Sequence, residues 1–168
     1  MLRPLATLIA ALGLVFTQAR PIALTPPLPR PTPHVVAERQ TVFAFIRSHA
    51  GMPAAERYTD LIVAKARAHQ IPALLVAKVV NRESSFHADA HNGACSGLMQ
   101  VAYFHFRHGL SPTRPADNLE VGCSVLAGYK KRFGSWPVAL TAYNFGPGAT
   151  ASRGLGTSRY ARLVLAGR

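Results

Sequence analysis

The chain has 168 residues, a formal net charge of +12 at neutral pH and a hydrophobic fraction of 49%. This length leaves room for one domain with a single core, and the apolar fraction excludes wholesale disorder. A basic protein attracts polyanions, but no nucleic-acid-binding motif is present and the basic residues are scattered along the chain. The charge therefore favours general electrostatic attraction over a specific nucleic-acid site, with a solvated basic surface of no functional consequence as the alternative.

Residues 1–19 have the pattern of a secretory signal peptide. Arg3 supplies a positive n-region, residues 5–16 form an apolar h-region, and residues 17–19 place small side chains at the positions a signal peptidase reads. The apolar stretch is short for a membrane span, although an uncleaved anchor is the alternative. We expect an exported protein, periplasmic or associated with the cell wall, without a stable membrane span after processing. Anionic envelope polymers are then its expected charged partners.

A proline-rich segment follows. Residues 20–33 contain six prolines, a density that favours an extended linker over helices or sheets. An apolar group at residues 42–46 predicts a short helix within residues 34–50. We therefore predict a linker with a short helix over residues 20–50 and a folded domain over residues 51–168.

The predicted domain has helical spacing throughout, with no strand alternation and no internal repeat, so the predicted fold class is mainly α. A first helix around residues 58–67 ends before Pro72, because the residue preceding a proline is biased towards extended geometry. The next helix, over residues 72–84, is nearly all apolar, which predicts burial. Further helices are predicted to start near Ser96, to run from Asp117 or Asn118 as N-cap to Phe133, to start at Pro137, and to contain Tyr160, Leu163 and Val164.

Two cysteines, Cys95 and Cys123, permit one disulfide in an exported chain. We predict that they pair, with two free thiols as the alternative. The bridge would contribute roughly 3–4 kcal/mol in the chain-entropy model. It would tie the loop before Gly97 to the helix that carries Cys123.

The seven histidines have no zinc-binding pattern around them, so we expect no metal and no other cofactor. Of the seven acidic residues, only Glu83 follows a predicted buried helix. An apolar environment there would raise its pKa and suit it to proton donation. The alternative is a helix-end carboxylate that pairs with Arg82 or Lys78.

Three motifs follow one another along the chain: Asn-Arg-Glu-Ser-Ser-Phe at residues 81–86, Gly-Leu-Met-Gln at residues 97–100 and Ala-Tyr-Asn-Phe-Gly-Pro-Gly at residues 142–148. Together they resemble the catalytic domain of the soluble lytic transglycosylases, in the lysozyme-like superfamily, which cut the glycan strands of bacterial peptidoglycan. The resemblance covers about residues 54–165. It implies a single lysozyme-like helical domain with a central glycan-binding groove.

The resemblance also implies the reaction and the site. Glu83 would be the sole catalytic residue, acting first as acid and then as base to cleave the MurNAc-GlcNAc β-1,4 bond without water. The sugar's own C6 hydroxyl would attack and leave a 1,6-anhydroMurNAc end. By position the resemblance assigns Ser84, Met99, Gln100, Tyr143 and Asn144 to substrate binding, with the Tyr143 hydroxyl close to the acid, and Gly97, Gly146 and Gly148 to structural roles. The alternatives are that Met99 is a core residue and that Tyr143 only anchors a helix end.

Two departures from the family pattern affect the groove. Residues 101–108 are aromatic and basic where the family has a proline and small residues, and Phe145 replaces a small residue before Gly146. We expect these differences to change subsite preference more than chemistry. The expected protein is a monomer that acts on peptidoglycan strands. The alternatives are a goose-type-like muramidase that uses water on the same fold, a non-catalytic cell-wall-binding or assembly protein, and, less favoured, a cationic nucleic-acid binder.

Overall fold

The computed structural model describes residues 32–107, 109–154 and 156–167. The predicted signal peptide and nearly all of the proline-rich segment lie outside these residues. The described part is mainly helical, and none of its helices combines the length and the hydropathy needed to cross a membrane. Its elements are α1 Pro33–Ala68, α2 Ala73–Ser84, β1 His91–Asn92, β2 Cys95–Ser96, β3 Val101–Ala102, a 3-10 turn at Tyr103–His105, α3 Pro115–Phe133, α4 Trp136–Phe145, α5 Pro147–Ser152 and α6 Arg159–Ala166.

Helix α1 joins the short helix predicted within residues 34–50 to the helix predicted around residues 58–67. It is continuous from Pro33 except for a kink at Gly51, whose φ of 82° interrupts the helical backbone. Val42 and Ile46, one helical turn apart, are 0% exposed and pack into the core. This part of α1 lies within the segment for which the sequence predicts a linker with a short helix, residues 20–50. Burying the apolar pair on one helix face requires this helix to pack on the domain.

Helix α2 confirms the prediction of a buried apolar helix. Val76, Val79 and Val80 are each 0% exposed. The helix ends because Ser85 and Phe86 adopt left-handed backbone angles, with φ of 49° and 65°. The Phe86 ring is buried and stacks on Tyr58, with 6.4 Å between ring centroids, which holds this unfavourable geometry in place. Glu83 therefore lies at the end of a rigid, buried helix.

A small antiparallel sheet follows, where a helix near Ser96 and no strands were predicted. Its order is β1-β2-β3, with His91 opposite Ser96 and Cys95 opposite Ala102. Ser96 is thus a strand residue and not an N-cap. Strands of two residues are too short to show an alternating pattern, which is why the sequence did not reveal them.

Helix α3 starts at Pro115, and its N-cap is Arg114, not Asp117 or Asn118 as predicted. Asp117 lies in the first turn and accepts hydrogen bonds from the Ser111 backbone N–H and the Arg114 guanidinium, both at 2.9 Å. Asn118 is 0% exposed. Its Oδ1 accepts a bond from the Met99 N–H, and its Nδ2 donates to the carbonyls of residues 96 and 112, each at 2.8 Å. Asn118 therefore fastens the segment after β2 onto α3.

The last three helices close the domain. Helix α4 starts after the N-cap Ser135 and ends at Phe145, where the C-cap Gly146, with a φ of 84°, allows a sharp stop. Gly148 lies inside α5 with ordinary backbone angles and open space around its α-carbon, so the structural role predicted for it has no backbone basis. Helix α6 packs against α2 and α4, as expected for an amphipathic last helix.

The two cysteines are free thiols, which contradicts the predicted disulfide. Cys123 is fully buried on α3 within the core cluster, whereas Cys95 lies on β2 and is partly exposed. Burial raises the pKa of the Cys123 thiol to about 12. Packing in the core, and not a covalent bridge, holds Cys123.

Candidate active site

The ends of α2 and α4 and the small sheet enclose a cavity of about 380 Å³. Because the three motifs are on these elements, the fold brings their side chains together, although they are far apart in the sequence. Four of the predicted site residues line this cavity: Glu83, Gln100, Tyr143 and Asn144. The other lining residues are Ala90, His91, Asn92 and Cys95.

Glu83 is the one acidic side chain of this cavity, and all seven acidic residues of the chain are among the described residues. Burial raises the pKa of Glu83, while a hydrogen bond from Tyr160 and the charge of Arg82 oppose this with smaller effects. The alternative of an ion pair with Lys78 is not observed, because the Lys78 ammonium donates to the Leu165 carbonyl at 2.7 Å. Burial therefore favours the protonated form of this carboxyl group more than in an exposed glutamate.

Four other acidic residues pair with basic side chains outside the cavity. Ion pairs at the surface typically contribute little to stability, and none of these four carboxylates lines the cavity. The pairs are Glu38 with Arg67, Asp60 with Arg39, Asp117 with Arg114, and Glu120 with both Lys65 and His69.

Tyr160 on α6 donates a hydrogen bond from its hydroxyl to Glu83 Oε1. Burial, together with the nearby Glu83 carboxylate, raises the pKa of Tyr160 far above its ordinary value, so this phenol remains a donor. The three motifs do not include Tyr160. Its only sequence signal is a tyrosine on the buried face of an amphipathic helix, where the hydroxyl needs a polar partner.

The Tyr143 hydroxyl donates to the Met99 carbonyl at 2.9 Å, so the contact with the acid predicted for Tyr143 is made by Tyr160 instead. Tyr143 nevertheless lines the cavity with Glu83. Burial, and secondly the Glu83 charge, raise the pKa of Tyr143. Tyr143 therefore braces the turn that follows β2 while its ring forms one wall of the cavity.

That turn, residues 97–100, depends on a glycine at its first position. Gly97 has a φ of 79°, and a Cβ there would lie 2.3 Å from both the Asn118 Nδ2 and the Pro112 carbonyl. Gln100 closes the turn, with its Nε2 donating to the Ala90 carbonyl at 2.9 Å and to the Gly97 carbonyl at 3.0 Å. The structural role predicted for Gly97 thus has a clear steric cause, and Gln100 is held in place at the cavity wall.

Two of the predicted substrate contacts lie away from the cavity. The Ser84 hydroxyl is buried and donates to the Leu98 carbonyl at 2.8 Å, with a longer bond of 3.2 Å to the Val80 carbonyl. Met99 is 0% exposed, and its side chain packs so closely on Gly122 that a Cβ there would lie 2.5 Å from the Met99 sulfur. These two motif residues join the turn to α2 and α3, so the core alternative for Met99 is the observed one.

No group of three or more potential metal-ligating side chains gathers within residues 32–107, 109–154 and 156–167. The cavity lining presents one carboxyl group, one phenol, three amides, a histidine and a thiol. These are groups for proton transfer and hydrogen bonding to a polar substrate.

A known protein family matches this part of the chain. The family described as the transglycosylase SLT domain matches residues 60–162, which is more than half of the chain and includes both Glu83 and Tyr160. The chain belongs to this family of peptidoglycan-degrading enzymes, within the lysozyme-like superfamily, and the resemblance of the three motifs is confirmed. Members act on peptidoglycan in the cell envelope. A search of curated proteins gave no significant match.

Proposed function

We propose that the protein is a lytic transglycosylase that cleaves the MurNAc-GlcNAc β-1,4 bond of peptidoglycan and forms 1,6-anhydroMurNAc ends. The observation that carries this proposal is the single carboxyl group in the cavity, Glu83. Most glycosidases that use water require two carboxylates at the scissile bond. One carboxyl group is sufficient when the nucleophile belongs to the substrate, because no second base is then needed to activate water.

In the first step Glu83 donates its proton to the leaving glycosidic oxygen. The raised pKa of Glu83 favours the protonated state that this step needs. Because the Tyr160 hydroxyl donates to Oε1, the other carboxyl oxygen remains to carry the proton towards the substrate. As the C1–O bond breaks, positive charge develops on the sugar and Glu83 becomes a carboxylate, which the Tyr160 hydrogen bond stabilises.

In the second step the Glu83 carboxylate accepts the proton of the C6 hydroxyl on the same sugar. The C6 oxygen forms a bond to C1, which closes the anhydro ring and returns Glu83 to its protonated state. No water is consumed. Attack within one ring benefits from the high effective concentration of intramolecular reactions.

Substrate recognition is proposed to use the polar wall of the cavity. Asn144 is exposed on α4 and lines the cavity, and its amide can pair with an acetamido group. Gln100 presents a second amide on the wall formed by the turn. The net charge of +12 supports attraction to stem-peptide carboxylates and envelope polymers. We further propose that residues 1–19 direct export and that the processed protein acts as a monomer.

The mass of the released products tests this proposal. Purified sacculi are digested with the mature protein, and the soluble muropeptides are analysed by mass spectrometry beside a Glu83→Gln digest. We expect anhydro products, each one water lighter than the hydrolytic product, and none from the variant. Products with reducing ends would instead identify a muramidase. Binding to sacculi without soluble fragments would identify a non-catalytic wall-binding protein.

A further inference from the structure

A second cavity, of about 200 Å³, adjoins the one that contains Glu83. Cys95, Gln100 and Tyr143 line both cavities, so the two spaces share a wall. The remaining lining residues come from the segment after β2, from α3 and from the junction of α4 and α5: Val101, Ala102, Phe104, His105, Val125, Tyr129, Gly146 and Pro147. No acidic side chain is among them, and most of this lining is apolar.

Phe104 stands at the rim of the second cavity and is 83% exposed, the most exposed of the large hydrophobic side chains described. An aromatic ring in water contributes nothing to the core, so folding does not explain its presence. The backbone that carries it is well held. The Tyr103 N–H donates to the Ala94 carbonyl at 3.0 Å, and the Phe106 N–H donates to the Tyr103 carbonyl at 3.1 Å.

The Phe104 ring also lies against the His105 ring, with 4.2 Å between centroids. Both residues belong to the short 3-10 turn at Tyr103–His105. Phe104 is thus an exposed aromatic surface on an ordered turn. This combination provides contact area at little cost in conformational entropy.

We propose that the second cavity and Phe104 form a binding subsite for an additional sugar residue of the glycan strand. Pyranose rings expose C–H groups on their faces, and an aromatic ring packs against such a face while the sugar hydroxyls remain in water. The shared wall supports a glycan occupant, because a strand bound at Glu83 continues into the adjoining space. This inference rests on the proposed function and adds a preference for longer strands.

The test compares strand lengths in a protein that does not turn substrate over. Dissociation constants are measured in the Glu83→Gln background for peptidoglycan oligosaccharides of two and of four disaccharide repeats. Adding Phe104→Ala should weaken binding of the four-repeat strand about five- to tenfold, on the scale of a lost aromatic contact. The dissociation constant of the two-repeat strand, divided by that of the four-repeat strand, is the length ratio, and this ratio should fall accordingly. Phe104→Trp should retain the ratio, because it keeps an aromatic face.

Tyr103→Ala is the matched control, since Tyr103 is a half-exposed aromatic residue in the same turn but does not line the cavity. It should leave the ratio unchanged. The inference is overturned if Phe104→Ala weakens the binding of both strands equally, or weakens the binding of neither. It is also overturned if Tyr103→Ala changes the ratio as Phe104→Ala does. Binding is measured without turnover. A hydrolytic product from the active protein would therefore refute the proposed function, while the binding measurements would still test the subsite.

Discussion

The hydroxyl of Tyr160 donates a hydrogen bond to Glu83 Oε1, joining two residues 77 positions apart. The bond connects the end of α2 with the first turn of α6. It fixes the orientation of the carboxyl group in the cavity and favours its ionised form, in opposition to the larger effect of burial. The balance between these two effects sets the protonation of Glu83.

Tyr160→Phe should disturb that balance. Without the hydroxyl the carboxylate loses a donor, so the pKa of Glu83 should rise further and the alkaline limb of the activity profile should move to higher pH. The maximal rate should fall roughly tenfold, since the carboxylate formed in the first step is less stabilised. The measurement is kcat/KM against pH on purified peptidoglycan, with Tyr103→Phe as control. A profile that moves to lower pH, or does not move, would contradict the role of Tyr160.

The stability of the protein should depend on pH through Glu83. Its raised pKa means that the folded state holds a proton more tightly than the unfolded state, so the stability it contributes is present below pH 4.5 and is lost as pH rises through the folded pKa. Glu83→Gln should therefore become more stable relative to the native protein as pH increases from acid to neutral. Urea unfolding at several pH values measures this difference.

Glu120→Gln provides a control of opposite sign. Hydrogen bonds from Lys65, and secondly from His69, lower the pKa of Glu120, so its contribution is present at neutral pH and is lost as pH falls. The variant should lose stability relative to the native protein at neutral pH and less at acid pH. If the stability of the two variants relative to the native protein changed in the same direction with pH, the electrostatic account of Glu83 would be refuted.

Gly97→Ala should destabilise the fold by about 2–4 kcal/mol, because the left-handed backbone and the close contacts with Asn118 and Pro112 act together. Gly148→Ala is the matched control. It has open space and lies in α5, so it should be neutral or stabilising by up to about 1 kcal/mol. Denaturant unfolding of both variants measures the contrast, and equal losses would disprove the steric role of Gly97.

Ser84→Ala should affect stability and not substrate binding. Removing the hydroxyl leaves the buried Leu98 carbonyl without this donor, which should cost about 1–3 kcal/mol. Asn144→Ala, on the exposed cavity wall, should raise KM with little loss of stability. Unfolding curves and KM values for the two variants separate these roles. A raised KM for Ser84→Ala at unchanged stability would restore the substrate contact predicted from sequence.

The helical architecture was largely predictable, because burial of α2 follows from its apolar run and the position of Glu83 follows from that helix. The strands were not, because two residues are too few to show a period. Motif membership also did not separate residues that face the cavity from residues that support it: Gln100 faces it, whereas Met99 is in the core. The role of Tyr160 depends on how α6 packs on α2, and no local pattern encodes that contact.

The short helix within residues 34–50 was predictable, but its packing on the domain was not. Prolines before residue 34 suggested a linker, and the apolar group after them does not show what it packs against. Burial of Val42 and Ile46 against the rest of the core places this helix in the domain. Such tertiary burial is not visible in a short stretch of sequence.

The central claim is that one carboxyl group cleaves the glycan strand while the substrate supplies its own nucleophile. Digestion of purified peptidoglycan in water labelled with heavy oxygen tests it directly. We predict that the new MurNAc ends carry no label and that Glu83→Gln releases no fragments. Heavy oxygen at C1 of the new ends would show that water attacks, and would contradict the account.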